Sequence, residues 1–385
     1  MQLTPYNQDI INRAIKAASI VDPIVFCGMF NDGHDFLYAN LVKQIATIKS
    51  DFVPVFLDLS ACSTGKQTLD VLRTATIEHL KQKIPDSAGY DDLKILYRNI
   101  CTNKTIILVL YTGQAAIVDK DLLLFISRLR DLKRFSFSYI WLACARIVFS
   151  LHQHTNAIEY EELLTKLFLQ HIHPLMPRDE NNAMIIINNN ENRYGKLTSA
   201  TKQVVLQLSG GHPGLIKTLV QQASEKPGWK TADLNDERLS SKINGILDDL
   251  PDSYKKTLFA KSYTVNNPIT KSLILYGYLK KSGTSYFPFT PLLDEYYTKI
   301  KIIPNVNMLV LSSIQRKVID YLETHAGVII AKDVLAKIIW GETWQDKYSD
   351  WAIDQFISTF RDKLPIVRKS AKLITKKGEG YIYIP

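Results

Sequence analysis

The feature that most constrains the fold is an alternation of short apolar segments with segments of helical period over residues 1–150. Parallel neighbouring strands need a crossover connection, and a helix supplies it. The alternation therefore predicts a doubly wound α/β domain built on a parallel sheet. Its strand candidates are Pro23–Gly28, Val53–Asp58, Thr105–Tyr111 and Tyr139–Ala145, with helical stretches such as Leu37–Ile48, Leu69–Lys81 and Leu122–Lys133 between them.

After about residue 155 the pattern changes to helices without further strands. Two stretches break it. One is the polar run Asn188–Asn192, and the other is Ser209–Gly214, where glycine suits the end of one helix and proline the first turn of the next, Leu215–Ala223. This part of the chain is predicted to form a helical lid.

Residues 249–300 hold two helices, Ser253–Lys261 and Thr270–Leu279, and a short hairpin about Ser282–Phe289. Two helices followed by a hairpin are typical of a small winged helix, and the pattern recurs at greater length from Met308 onward. The predicted domains are therefore an α/β core over 1–155, a lid over 156–248, a small winged helix over 249–303 and a C-terminal winged helix over 304–385.

Composition narrows the class of partner. The formal net charge is +9, which favours an anionic partner such as nucleic acid.

The longest apolar runs fall well short of the ~20 residues that a membrane span needs, and the first residues carry no export signal. The four cysteines stand singly, without the spacing of a zinc or redox motif. We expect a cytoplasmic protein with buried thiols, no metal site and no membrane contact.

The segment after the first strand candidate is in the register of a GxxxxGK[ST] phosphate loop, with Gly28 and Gly33 in place. His34 stands where a lysine would bind the β- and γ-phosphates, and Asp35 stands where a serine or threonine would bind Mg²⁺. A neutral imidazole lacks the permanent charge of lysine, and a carboxylate repels phosphate. ATP hydrolysis is therefore not expected.

The acidic positions after the third strand candidate are also missing. Tyr111, Thr112, Gly113 and Gln114 stand where an active enzyme carries an aspartate for Mg²⁺ and usually a glutamate for water. We expect no catalytic residue and no cofactor beyond weak binding of ADP or ATP.

With these features, residues of about 5–300 resemble the STAND branch of the AAA+ ATPases, the AAA-like module of many bacterial regulators. The resemblance rests on the two loop glycines, on Leu175-Met176-Pro177, on Gly210-Gly211-His212-Pro213 and on Leu250-Pro251. It implies a nucleotide site, here vestigial, at Gly28, Gly33, His34, Asp35, His212 and Pro213. The alternatives are that His212 only caps or packs a helix start, and that the two loop glycines serve a tight turn.

The segment from Leu311 to Pro385 resembles, over its whole length, the effector domain of OmpR-type response regulators. The matching features are a first helix Ser312–His325, a strand and second helix from Gly327 to Gly341, a recognition helix Ser349–Leu364 and a hairpin with a Gly-x-Gly-Tyr turn at Gly378–Tyr381. The resemblance implies a winged helix-turn-helix that binds double-stranded DNA.

The periodicity of the recognition helix agrees with that role. Ile353, Phe356, Ile357, Phe360 and Leu364 recur at three- and four-residue steps and form a predicted buried stripe. The last 25 residues carry seven basic side chains against two acidic ones, a local balance of +5, which suits contact with phosphates. The predicted DNA-contacting residues are Gln355, Ser358, Thr359, Arg361, Lys363, Arg368, Lys369, Lys376 and Lys377.

Three functions are compatible with these patterns. The first is a non-catalytic DNA-binding protein, a transcriptional regulator or DNA-targeting subunit, whose ATPase-like body senses a ligand or partner or forms a homo-oligomer. The second is a protein-interaction subunit of a multi-protein defence or mobile-element complex. The third is a nucleotide-dependent switch in which His34 replaces the missing lysine.

Overall fold

The computed structural model describes residues 2–45, 52–62, 64–113, 118–133, 136–151, 158–226, 228–260, 263–302, 313–341, 344–347, 349–368, 370–376 and 378–385. Contacts between these residues divide the chain into two compact units, Met1–Leu293 and Asp294–Pro385. The predicted segment ends at Ile48, Lys261 and Ser312 lie outside the described residues.

The first unit is built on a five-stranded parallel sheet of order β2-β3-β4-β1-β5. The strands are β1 (Ile24–Gly28), β2 (Phe52–Asp58), β3 (Thr105–Tyr111), β4 (Phe137–Cys144) and β5 (Ile172–Pro174). The α/β fold class and all four predicted strands are confirmed. The expectation of no strand after about residue 155 is wrong, because β5 pairs with β1 at the sheet edge. With only three residues, β5 is too short to give a periodic signal.

Helices cover this sheet as the crossovers require. The helix α1 begins at a threonine cap, where Thr4 Oγ1 accepts a hydrogen bond from the Asn7 N–H at 3.1 Å, and it packs with α2 against the sheet through Ile11 and Leu37. The helices of the core are α1 (Pro5–Ser19), α2 (His34–Ile45), α3 (Gly65–Leu80), α4 (Tyr90–Ile100), α5 (Lys120–Leu132), α6 (Arg146–Leu151) and α7 (Ile158–Leu167).

The lid consists of α8 (Glu180–Tyr194), α9 (Ser199–Ser209), α10 (Pro213–Glu225) and α11 (Glu237–Asp248). The predicted break at Asn188–Asn192 is wrong, because α8 runs through it. The polar side chains of this run find partners: Asn190 donates to the Ile186 carbonyl at 2.8 Å, and Glu191 accepts from the Leu197 N–H and from Lys202. Several polar side chains of this run thus have partners within the helical conformation, although Asn190 Oδ1 has none among the described residues.

The small winged helix comprises α12 (Asp252–Leu258), α13 (Pro268–Leu275) and the antiparallel hairpin of β6 (Leu279–Ser282) and β7 (Ser285–Pro288). It is followed by α14 (Pro291–Ile302). The division between the two compact units falls within α14, earlier in the chain than the predicted domain boundary at 303/304.

The second unit is a helical domain closed by a three-stranded sheet of order β8-β10-β9. Of the predicted buried stripe, Ile353, Ile357, Phe360 and Leu364 are at most 2% exposed and Phe356 packs partly buried against them. The elements are α15 (Ser313–Thr324), β8 (Ile329–Ile330), α16 (Lys332–Trp340), α17 (Trp344–Lys347), α18 (Asp350–Val367), β9 (Lys372–Lys376) and β10 (Gly380–Ile384).

Among the helices of the described segments, none combines the length and the apolar character that crossing a bilayer demands.

Candidate functional site

The loop between β1 and α2 is closed by a buried ion pair that the sequence did not reveal. Asp32 is fully buried, and its carboxylate accepts hydrogen bonds from one amino group of Arg178 at 2.9 and 3.1 Å. The other amino group of Arg178 donates to the Asp32 carbonyl oxygen at 2.9 Å. Burial raises the pKa of Asp32 to about 7, against the opposing effect of Arg178. The ion pair joins the loop to the start of the lid.

Gly28 is required by this arrangement. A Cβ atom at Gly28 would lie 2.7 Å from Asp32 Oδ2 and 3.1 Å from the His34 ring. Gly33 has a φ of +86°, which favours glycine. Both glycines thus fit a tight strand-to-helix turn, which is compatible with a vestigial nucleotide site as well as with a purely structural turn.

A second buried carboxylate bonds to the loop backbone. Asp249, at the end of the lid, accepts a hydrogen bond from the Phe30 N–H at 2.8 Å. It also accepts from Tyr278 Oη at 3.1 Å and from Cys144 Sγ at 3.2 Å, with Arg146 Nε 3.6 Å away. Burial raises the pKa of Asp249 to about 6, and Arg146 opposes the shift. Backbone N–H groups between a strand and a helix are anion-binding groups, and here one of them binds the chain's own carboxylate.

The two histidines at the site are uncharged. Burial, with a smaller effect of Arg178, lowers the pKa of His34 and of His212 to about 3. His34 therefore supplies no positive charge at the position of the phosphate-binding lysine. His212 is the N-cap of α10: its Nδ1 accepts from the Leu215 N–H at 3.3 Å, and Pro213 occupies the first turn. Asp35 is exposed in the first turn of α2.

The carboxyl end of β3 carries aromatic and hydroxyl groups. Tyr111 stacks on Tyr38 of α2 with ring centroids 5.2 Å apart. Thr112 is buried, and its Oγ1 accepts a hydrogen bond from Trp141 Nε1 at 3.1 Å. Gln114 lies outside the described residues. Within the described segments, no three His, Cys, Asp or Glu side chains are grouped so that they could hold a metal ion.

A cavity of about 470 Å³ lies beside the loop. Its walls come from the N-terminal residues up to Asn7, from the loop and the start of α2, and from the lid helices α8, α10 and α11. The basic side chains on its wall are Arg178, Arg193, Lys217 and Lys242, and the acidic ones are Asp32 and Asp35. Of the six residues of the implied nucleotide site, Gly33, Asp35 and Pro213 line this cavity, whereas Gly28, His34 and His212 do not, and the lid contributes most of the cations.

In the second unit, both predicted DNA-contacting arginines form hydrogen bonds or ion pairs with other residues of the chain. Arg361 of α18 donates from Nε to the Leu373 carbonyl oxygen of β9 at 2.7 Å and from an amino group to Thr375 Oγ1 at 2.5 Å. Arg368 pairs with Glu323 of α15 at 2.5 Å. Ser358 and Lys376 are exposed. Gln355, Thr359 and Lys363 lie on α18 but their side chains are outside the described part, as are Lys369 and Lys377.

Comparison with known proteins identifies this unit. The family model "Transcriptional regulatory protein, C terminal" matches residues 307–383. The C-terminal segment is an OmpR-type winged helix. No curated protein sequence matches the chain.

Three solved structures that are similar to this chain match it at low identity and with TM-scores below 0.5. Cdc6p from Pyrobaculum aerophilum is 12% identical with a TM-score of 0.43, covering 100% of this chain and 90% of that one. The Orc1 protein of Aeropyrum pernix, solved in complex with DNA, is 10% identical with a TM-score of 0.45, covering 100% and 89%. Domain III of the Thermotoga maritima replication initiation protein DnaA is 14% identical with a TM-score of 0.36, covering 65% and 95%.

The recognition helix of the OmpR-type winged helix also carries a contact that sequence reasoning missed. Asp354 of α18 accepts a hydrogen bond from Tyr381 Oη of β10 and pairs with Lys332 Nζ of α16 at 2.9 Å. The ammonium group of Lys332 thus offsets the negative charge of the Asp354 carboxylate. No local sequence spacing indicates these two contacts, because the three residues come from three separate elements.

Proposed function

We propose that this chain is a non-catalytic, DNA-binding regulator or DNA-targeting subunit, in which the OmpR-type winged helix binds duplex DNA and the AAA+-like body acts as a sensor or oligomerisation module. The observation that carries the proposal is the family match over residues 307–383, which covers a complete helix-turn-helix with its wing. The proposed duplex-binding element is α18, which carries the predicted base-edge contacts Gln355, Ser358 and Thr359.

The charge of the second unit supports contact with the DNA backbone. Lys376 is exposed at the end of β9, where the hairpin turns toward Gly380 of β10. Arg361 supports the same surface indirectly, because it fixes the wing strand β9 to the recognition helix α18. Wing and helix then present one preformed surface to the duplex, which lowers the ordering cost of binding.

The absence of catalysis is supported by the arrangement of the phosphate loop. The lysine position holds an uncharged imidazole, and the magnesium positions hold Tyr111 and Thr112. Phosphoryl transfer depends on a cation and a metal ion that stabilise the charge of the transition state. Without them the body is proposed to bind no Mg²⁺ and to hydrolyse no ATP.

The DNA assignment is tested by a salt titration of duplex binding. The variant Lys376→Ala with Lys377→Ala should weaken the binding of all duplex sequences and reduce the slope of log K against log salt by about one to two. Gln355→Ala should alter sequence preference with little change in slope. Binding of random duplex that is as tight as the parent's at every salt concentration would favour the protein-interaction function instead.

A further inference from the structure

The small winged helix lies in a stretch of the chain that has lysines but no acidic residue. Residues 253–293, which span the hairpin of β6 and β7 and both helices before it, contain six lysines and neither aspartate nor glutamate. The whole chain has 38 acidic residues among 385, so a stretch of this length would carry about four at that average. The segment is therefore strongly positive, which suits an anionic partner.

One side of the small winged helix packs against the rest of the first unit. The Phe149 ring of α6 contacts the rings of Tyr254 and Tyr276, with centroids 4.9 and 5.3 Å apart. Lys280 Nζ donates a hydrogen bond to the Gly210 carbonyl oxygen at 2.5 Å. This side is covered by the chain itself, and the Lys280 ammonium group is bound there.

The helix α13 presents a lysine on its exposed face. Pro268, Lys271 and Leu275 are exposed and follow one another at three- and four-residue steps, so they share one face of the helix. Leu273, by contrast, is fully buried. In a helix-turn-helix the second helix is the one that approaches the duplex, and α13 holds that position after α12.

The wing presents a second lysine beside hydroxyl groups. Lys281 is exposed on β6 and lies directly opposite Tyr286 of β7, and the next pair is Ser282 with Ser285, both exposed. Among the described residues, neither Lys271 nor Lys281 forms an ion pair with a carboxylate. Ammonium and hydroxyl groups are donors that contact phosphate oxygens in nucleic-acid complexes.

We propose that the small winged helix is a second duplex-binding surface, on which Lys271 and Lys281 contact backbone phosphates without reading the base sequence. A single strand fits less well, because its bases stack on several exposed aromatic rings. Among the described residues of 253–293, Phe287 is the one exposed aromatic side chain. The inference rests on the proposed DNA-binding function and extends it from the C-terminal winged helix to the first unit.

Salt titration of duplex binding by the full-length protein tests this surface. Lys271→Ala with Lys281→Ala should reduce the slope of log K against log salt by about two and weaken the binding of random duplex about tenfold. Lys271→Arg with Lys281→Arg keeps both charges and should bind as the parent does. The matched control Lys16→Ala with Lys83→Ala removes two exposed lysines elsewhere in the first unit, and so the same net charge, and should leave the slope unchanged.

A photo-crosslinking experiment locates the contact independently of charge. p-Benzoylphenylalanine in place of Thr284, in the turn at the tip of the wing, should crosslink to duplex DNA. The same group in place of Ile20, which is 64% exposed at the end of α1, should not.

Three results would overturn the inference: an unchanged salt slope in the alanine double variant, equal crosslinking from Thr284 and Ile20, or tighter binding of single-stranded than of duplex DNA through the same two lysines. Melting temperatures show whether each variant is folded. Lys376→Ala with Lys377→Ala is titrated alongside. A parent protein that binds no duplex would contradict the proposed function as well, whereas a lower slope in this C-terminal variant alone would overturn only the second surface.

Discussion

At the scale of single residues, the buried carboxylates Asp32 and Asp249 set the properties of the phosphate loop. Each is removed from water, which favours its protonated form, and each has a guanidinium nearby that opposes this effect. Asp249 also gathers three donors from different parts of the chain: the Phe30 N–H, Tyr278 Oη and Cys144 Sγ. Its removal would leave buried donors without an acceptor.

Asp249→Ala is therefore expected to destabilise the first unit by about 2–4 kcal/mol, because it leaves several buried donors unpaired. Asp249→Asn should cost less, since its amide oxygen still accepts from the Phe30 N–H. Chemical denaturation followed by circular dichroism measures both. Equal stability of the alanine variant and the parent would show that the Asp249 contacts contribute nothing.

The raised pKa of Asp249 also predicts the pH dependence of stability. A carboxyl group with a folded-state pKa of about 6 contributes stability that is complete below its unfolded pKa of about 4 and is lost as pH rises through about 6. The melting temperature of the parent should therefore fall more between pH 4.5 and about pH 7 than that of Asp249→Asn. A steeper fall in the asparagine variant would contradict the raised pKa.

At the scale of elements, the wing hairpin depends on one glycine. Gly380 begins β10 with a φ of +138°, and a Cβ atom there would lie 2.1 Å from the Ile330 carbonyl oxygen of β8. Gly378, at the other end of the turn, has a φ of +81° and open space around its Cα. The turn therefore favours glycine at its two positions for different reasons. At Gly380 there is no room for a Cβ atom, whereas at Gly378 only the positive φ favours glycine.

Gly380→Ala is expected to disrupt the second unit and to lower DNA affinity through loss of folding, since the added methyl group overlaps backbone atoms of β8. The matched variant Gly378→Ala meets only backbone strain, about 1 kcal/mol. Thermal unfolding of the two variants, with duplex binding on the same samples, measures the difference. A Gly380→Ala protein that melts like Gly378→Ala would rule out the close approach to β8.

At the scale of the whole molecule, the signature positions of hydrolysis follow two strand ends, and the end of the lid contributes a carboxylate that bonds to the loop. The end of β1 lacks the lysine, the end of β3 lacks the acids, and Asp249 follows the lid. We expect no steady ATP turnover by the purified protein, and only a slight rise of the melting temperature with ADP. Turnover that His34→Ala abolishes would contradict this expectation.

Introducing the lysine and the hydroxyl of the phosphate-loop signature should not produce ATPase activity. In the double variant His34→Lys with Asp35→Thr, the loop regains its lysine and hydroxyl, but the β3 end still offers only Tyr111 and Thr112, and Asp32 still packs over Gly28. Phosphate release by this variant is expected to equal that of the parent. Measurable release would mean that the loop alone, and not the missing acids, prevents hydrolysis.

The sequence by itself determined the α/β class, the strand β3 to the residue and the buried stripe of α18, because periodicity of apolar side chains is a local property that a core must satisfy. It also determined which signature residues are missing from the phosphate loop and which basic residues follow the recognition helix. Both the missing signature residues and the basic residues can be identified from residue type and position in the sequence alone.

Only the tertiary structure decided which groups contact the loop from which the signature residues are missing. Asp32 and Arg178 lie 146 positions apart in the sequence, and Phe30 and Asp249 lie 219 apart, so no local pattern links them. Likewise, Arg361 and Arg368 read as DNA contacts by charge alone, yet they bond to the wing strand and to Glu323. A hydrogen bond depends on a distance of about 3 Å between atoms, and only the fold sets such distances between elements that are remote along the chain.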